Sequence, residues 1–281
     1  MVNHRIYQYT SIGRALDPSY PTNKAVIVLM PLAALLGAAV SWFRHESPVL
    51  ALQQALLLAL VLFVSWALAR ELDPDDNPAA FISLACGVLV ALVLGDPGLL
   101  IAFVTLGLVR IVNRTTGLAA RKTDSVVLVI LSVVVIYATE SPLFGVVAAL
   151  AFFLDGSLKD PLRHQWVFGL VCLGAMVVYV VDHDISPGQV NVPDSLLQWL
   201  SLAFLLMFAL NILLTRTVRS TGDFGHRPLD VKRVRGGMAV GVFAALQGIN
   251  KLSDVVVVVA VIAGICIGIA FRKRFRTPTP A

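Results

Sequence analysis

Charge is what this sequence has least of. Asp, Glu, Lys and Arg make up only 14% of its 281 residues, against about 25% in an ordinary soluble domain, while 58% are apolar. Ten stretches, at 25–43, 48–69, 78–95, 97–109, 125–138, 142–154, 166–181, 195–215, 236–250 and 255–271, contain no Asp, Glu, Lys, Arg or His. Coupled transporters and pumps usually hold ionisable groups at membrane depth. Their absence argues against such a pump and leaves a carrier of a neutral or organic solute open.

Cysteine is also scarce. Cys86, Cys172 and Cys266 all fall inside the apolar stretches, where cysteine behaves as a small apolar residue, so they imply neither a disulfide framework nor a metal site. The chain has no glycine-rich phosphate loop with Lys-Ser/Thr, no His-Glu-x-x-His, no nucleophile elbow and no Cys-x-x-Cys. Its five histidines, His4, His45, His164, His183 and His226, are scattered over loops.

The apolar runs define the protein. Stretches of bilayer length separated by charged loops read as transmembrane helices, because an open sheet would leave unpaired backbone groups in lipid. The expected fold is all-α, a polytopic bundle of about ten spans. It divides into a tail at 1–24, one transmembrane domain at 25–271 and a basic tail at 272–281. The first span reads as a retained anchor, since the first 24 residues are too polar and mixed for an ordinary signal peptide. Spans four, five, six and nine are short for a bilayer.

Charge sets their direction. With both tails inside, the inner segments hold 20 Lys and Arg and the outer segments hold only Arg44 and Lys251. Positively charged short loops stay cytoplasmic, so the ratio predicts a multi-pass protein of the cell membrane with both termini in the cytoplasm. The basic inner face suits anionic lipid headgroups, and no nucleic-acid partner is implied. Asn113-Arg114-Thr115 matches the glycosylation sequon, but this orientation puts it where the acceptor is not used.

Five cap-proline pairs mark helix starts: Ser47-Pro48, Asn77-Pro78, Asp96-Pro97, Ser141-Pro142 and Asp160-Pro161. Asp96, Asp160 and Asp124 are better read as caps than as catalysts. Arg114-Thr115-Thr116-Gly117 recurs as Arg219-Ser220-Thr221-Gly222, each followed by Arg-x-x-Asp, which suggests parallel repeats of spans two to five and six to nine. A further echo, Arg14-Ala15-Leu16-Asp17-Pro18 against Arg70-Glu71-Leu72-Asp73-Pro74, fits neither that offset nor a known motif. Gly237-x-x-x-Gly241 and Gly264-x-x-x-Gly268 read as close packing between helices of one chain.

Polar chemistry gathers at the cytoplasmic rim. Glu71, Asp73, Asp75 and Asp76 put four acids in six residues, and Arg114, Arg121, Arg219 and Arg227 lie in the two related loops. Carboxylates can hold Mg²⁺ while arginines clamp phosphate oxygens, as a phosphorylated or pyrophosphorylated lipid requires. Acidic loops after spans two and six resemble, in layout, those of UbiA-type intramembrane prenyltransferases, in which paired Asp motifs bind a prenyl pyrophosphate through Mg²⁺. The motif itself differs here: ELDPDDNP lacks the Asn-Asp pair, Pro74 interrupts the spacing, and the second loop offers only Asp155 and Asp160. No residue is carried over from that family.

Three functions fit: an enzyme or handler of a phosphate-bearing lipid at the cytoplasmic face, a non-catalytic scaffold or complex subunit, and a carrier. A rim cavity lined by residues 71–76 and the arginine loops favours the first. Solid packing favours the second, and a midplane cavity beside broken helices favours the third.

Overall fold

A computed structural model describes residues 6–44, 47–95, 98–185, 192–225, 227–249 and 251–275. Among them are ten α-helices: α1 Pro21–Phe43, α2 Pro48–Leu72, α3 Asn77–Leu94, α4 Leu99–Asn113, α5 Lys122–Ala138, α6 Phe144–Ser157, α7 Gln165–Asp182, α8 Leu196–Leu214, α9 Val231–Leu246 and α10 Val256–Phe275. Six stretches are long and apolar enough to cross a membrane: α1, α2, α3, α7, α8 and the Leu252–Arg272 stretch that contains most of α10. The protein is an all-helical bundle suited to a membrane.

Cross-chain contacts sort the loops to two ends. At one end the N-terminal segment and the loops after α2, α4, α6 and α8 meet through Arg14–Asp223, Ser11–Asp124, Arg114–Asp155 and Asp75–Arg219 contacts. Arg272 of α10 joins them by pairing with Asp76. At the other end Arg44 reaches the Leu92 carbonyl at 3.4 Å, Ser141 donates to Gln247 at 2.6 Å and Gln198 donates to the Ile249 carbonyl at 3.1 Å. Every helix therefore runs from one end to the other, short ones included.

Burial explains how α4 and α6 can be short. At 1.5 Å per residue, the 15 residues of α4 span about 22 Å, less than the roughly 30 Å of a hydrocarbon core. Ten of its residues are buried, whereas α8 buries only Leu205 and Phe208 of its 19. A helix sheathed by protein need not match the lipid. The outer face belongs to longer helices such as α1, α7 and α8, which expose Leu35, Val171 and Leu210.

The cap-proline pairs are only partly realised. Ser47 does cap α2, its hydroxyl accepting the Leu50 N–H at 3.3 Å, and such a cap contributes about 1 kcal/mol. α3 is capped by Asp76, one residue earlier than the pair implied, with Asn77 already helical. Ser141 turns its hydroxyl to Gln247, and α6 begins at Phe144. Pro161 opens no α-helix: Asp160 stands at φ 54° and α7 starts at Gln165. Asp124 sits in the first turn of α5 and takes the amide and hydroxyl of Ser11 instead of capping. Asp96-Pro97 lies outside the described residues.

Small residues set the closest helix approach. A side chain at Gly264 or Gly268 of α10 would run into the backbone of Ser83 or Ala79 of α3, so the spacing serves packing within the chain. Gly237 of α9 lies against the Asn113 side chain of α4. The two related loops also meet, with the Asp223 and Phe224 amides donating to the Thr115 and Thr116 carbonyls at 3.2 and 2.9 Å. Yet α2 packs on α4, whereas α6 and α8, their counterparts four spans on, do not pack as neighbours.

Candidate functional site

Two helices end in a buried carboxylate, and burial of a charge requires partners. Glu71, in the last turn of α2, is fully buried, and its Oε1 accepts from Arg110 Nε at 3.0 Å and Arg14 Nη1 at 3.4 Å. Asp155, in the last turn of α6, is also fully buried. It accepts from Arg114 Nε and Arg233 Nη1, both at 2.8 Å, and from Gln165 Nε2 at 3.1 Å. Arg233 also donates to the Val112 and Lys159 carbonyls at 2.9 and 3.1 Å. Asp155 thus ties α4, α6, α7 and α9 into one knot.

The surroundings of Glu71 are open. A cavity of about 580 Å³ lies against it, walled on one side by Phe63, Trp66, Ala67 and Arg70 of α2. Their spacing, i, i+3, i+4 and i+7, puts all four on one helix face. Arg110 contributes from α4, residues 14–18 of the N-terminal segment from another side, and residues 219–223 from the loop after α8. Arg14 spans the gap between these parts, bonding Asp223 through Nε at 2.7 Å and Nη2 at 2.6 Å while reaching Glu71. Burial works against its charge, but Glu71 and Asp223 outweigh that and hold its pKa above the usual arginine value. Tyr7 donates to Asp223 at 3.4 Å, and burial followed by the Asp223 charge pushes its phenol up.

Two donors on the α2 wall are incompletely partnered. Arg70 donates to the Pro74 carbonyl at 3.2 Å and to the Asn77 side chain, and makes no ion pair among the described residues. Trp66 is 7% exposed, and its Nε1–H is buried with no acceptor among them. Unpaired buried donors are uncommon in folded proteins and call for an explanation.

The acids at 71–76 diverge. Asp75 accepts the Arg219 and Ser220 amides at 2.9 Å and the Ser220 hydroxyl at 2.7 Å. Partial burial opposes its charge, but these bonds prevail and hold its carboxyl below the usual range. Asp76 caps α3 and pairs with Arg272 at 3.1 Å. Asp73 follows the end of α2 and lines a second cavity of about 410 Å³ with Arg216, Arg219 and Arg272. Burial pushes its carboxyl up to about 6, with Arg272 opposing and Asp76 and Asp75 adding to the rise. Among the described residues no group of three or more His, Cys, Asp or Glu could hold a metal ion.

The expected phosphate-clamping arginines separate too. Arg114 is engaged by Asp155, and Arg121 holds the N-terminal segment through the Tyr7 and Gln8 carbonyls at 2.9 and 2.6 Å. Arg227 is exposed, its carbonyl accepting the Gly222 amide. Only Arg219 lines a cavity, and it lines both. The residues that reasoning from sequence passed over are Arg14, Arg70 and Trp66. A signal did exist: the unassigned echo of Arg14-x-Leu-Asp-Pro in Arg70-x-Leu-Asp-Pro brings both of its arginines to one cavity.

The fold and site define a membrane-embedded helical bundle with an arginine-lined cavity at its basic end. Comparison with protein-family models, with curated proteins and with solved structures finds no match to this chain.

Proposed function

We propose that this is a multi-pass protein of the cell membrane whose basic end faces the cytoplasm, and that its arginine cavity binds the headgroup of a phosphate-bearing lipid there. The observation that carries the binding reading is the 580 Å³ space shared by Arg14, Arg70, Arg110 and Arg219, where Arg70 makes no ion pair and the Trp66 Nε1–H has no acceptor among the described residues. Guanidinium groups suit phosphate oxygens, and an indole N–H seeks an acceptor when buried. The position also suits a lipid. Phe63 lies seven residues from Arg70, about 10 Å further into the apolar zone, so the cavity offers a polar mouth and an apolar floor.

Binding is better supported than catalysis. Glu71 and Asp223 are pinned by arginines, and a general base needs a carboxylate free to take a proton. The test is lipid retention by full-length protein purified in neutral detergent. Wild type should carry phosphate-bearing lipid, Arg70→Gln should lose it, and Trp66→Phe should retain less. Equal retention by all three would refute the cavity as the site and favour the scaffold reading. Orientation is tested separately by single-cysteine labelling. Glu140 and Asp194 should react in intact cells, Lys159 and Arg216 only after the membrane is opened.

A further inference from the structure

We infer that the headgroup taken by this cavity is a phosphodiester carrying one negative charge, in preference to a phosphomonoester or a pyrophosphate. The inference rests on the binding reading above and narrows it. Charge comes first. Arg14, Arg70, Arg110 and Arg219 face Asp17, Glu71 and Asp223 across the cavity, so four cations against three anions leave one net positive charge. Charge complementarity favours the ligand that balances this surplus. One phosphodiester balances the wall, whereas a pyrophosphate would leave about two negative charges without a counter-ion in the protein.

Donor supply points the same way. Arg14 is committed to Glu71 and Asp223, and Arg110 to Glu71 and the Ile12 carbonyl at 3.2 Å. Arg70 spends Nη1 on the Pro74 carbonyl and the Asn77 side chain, which leaves its Nε–Nη2 edge as a free donor pair of the α2 wall among the described residues. A phosphodiester has two non-bridging oxygens, which that edge can meet side by side. A pyrophosphate is usually held with a divalent cation, and here each wall carboxylate that could share one already has an arginine beside it or closes a local turn. Glu71 has two arginines, Asp223 has one, and Asp17 accepts the Ser19 amide at 2.9 Å. A cation placed at Glu71 would face Arg14 and Arg110 at contact distance.

The experiment uses the full chain in a neutral detergent and measures binding by native mass spectrometry and by thermal stabilisation. The probes are phosphatidylglycerol, phosphatidic acid, a polyprenyl pyrophosphate with and without Mg²⁺, inorganic phosphate and the free glycerophosphodiester headgroup. Phosphatidylglycerol should bind at least about tenfold more tightly than the pyrophosphate, the factor expected for a little over 1 kcal/mol of unbalanced charge. Both water-soluble probes should bind more weakly than the lipid, since they leave Phe63 and Trp66 uncovered. Asp223→Asn removes one negative charge and should move the preference toward phosphatidic acid, with folding checked by its melting temperature without lipid. Tighter binding of phosphatidic acid or pyrophosphate to wild type would overturn the phosphodiester assignment while leaving a phosphate-lipid site intact. Inorganic phosphate matching the lipid would overturn the lipid part. Failure of every probe would bring down the binding reading itself.

Discussion

Glu71 and Asp155 occupy comparable positions, each a fully buried carboxylate in the last turn of its helix and each between two arginines. Their settings differ. Around Asp155 the donors come from α4, α7 and α9, and Arg233 spends its remaining N–H groups on carbonyls. Around Glu71 one arginine comes from the N-terminal segment, and a cavity replaces the protein that would otherwise close the site. One device thus serves two purposes: closed in by protein it fastens helices, and left open on one side it forms the charged wall of a cavity. A buried ion pair is weak evidence for net stability, but removing one partner strands the other charge.

The sharpest way to break this comparison is Asp155→Asn. It should cost about 3–5 kcal/mol by stranding Arg114 and Arg233, and should appear as a large fall in melting temperature or in membrane abundance. Adding Arg233→Met should restore part of that loss. Glu71→Gln should cost less, because Arg14 keeps Asp223 and the cavity can hydrate what is left. Equal losses at the two sites would mean that the cavity gives no relief. Arg70→Gln sharpens the contrast from the other side. It breaks no ion pair, so the melting temperature should hold while lipid retention is lost.

A smaller effect belongs to Asp73, whose carboxyl is pushed up to about 6 by burial. In the unfolded chain it titrates near 3.9, so the folded state holds the proton more tightly and stability falls as pH rises from about 4 to about 6. Asp73→Asn should therefore stabilise the protein at pH 7.5 by up to about 3 kcal/mol, with the gain disappearing near pH 4. A melting series across that range reads it directly. The smallest change is Ser47→Ala, which removes a helix cap far from both clusters and should cost about 1 kcal/mol, with no effect on binding.

Helix positions were legible because lipid imposes one rule along the whole chain. The stretch expected at 48–69 became Pro48–Leu72 and that at 166–181 became Gln165–Asp182. The differences collect at the basic end, where α2, α4 and α6 run on past the apolar run to carry Glu71, Arg110 and Asp155 inward. A charged residue beside an apolar stretch reads as loop in sequence, yet it can be helical and buried when its counter-charge arrives from elsewhere. Glu71 and Asp155 depend on partners far away in sequence, such as Arg233, and no local pattern encodes such a pairing. The same reason hid the cavity. Trp66 looks like one more apolar residue of a span, and Asp75 looks like a metal ligand until the Arg219 and Ser220 amides are seen to occupy it.

The bond between Arg14 and Asp223 joins residues 209 positions apart. At about 5–20 residues per second, the ribosome needs roughly 10–40 s to travel from one to the other. During that time the N-terminal segment can already reach Glu71 through Arg14 and Asp124 through Ser11, but Arg14 lacks its Asp223 partner. The cavity cannot acquire its second wall until α8 has been threaded and its loop has returned to the basic end. A chain cut between residues 214 and 223 would therefore hold eight helices and an unfinished pocket. In the life of each molecule, the cavity is complete only well after its first helices have been made.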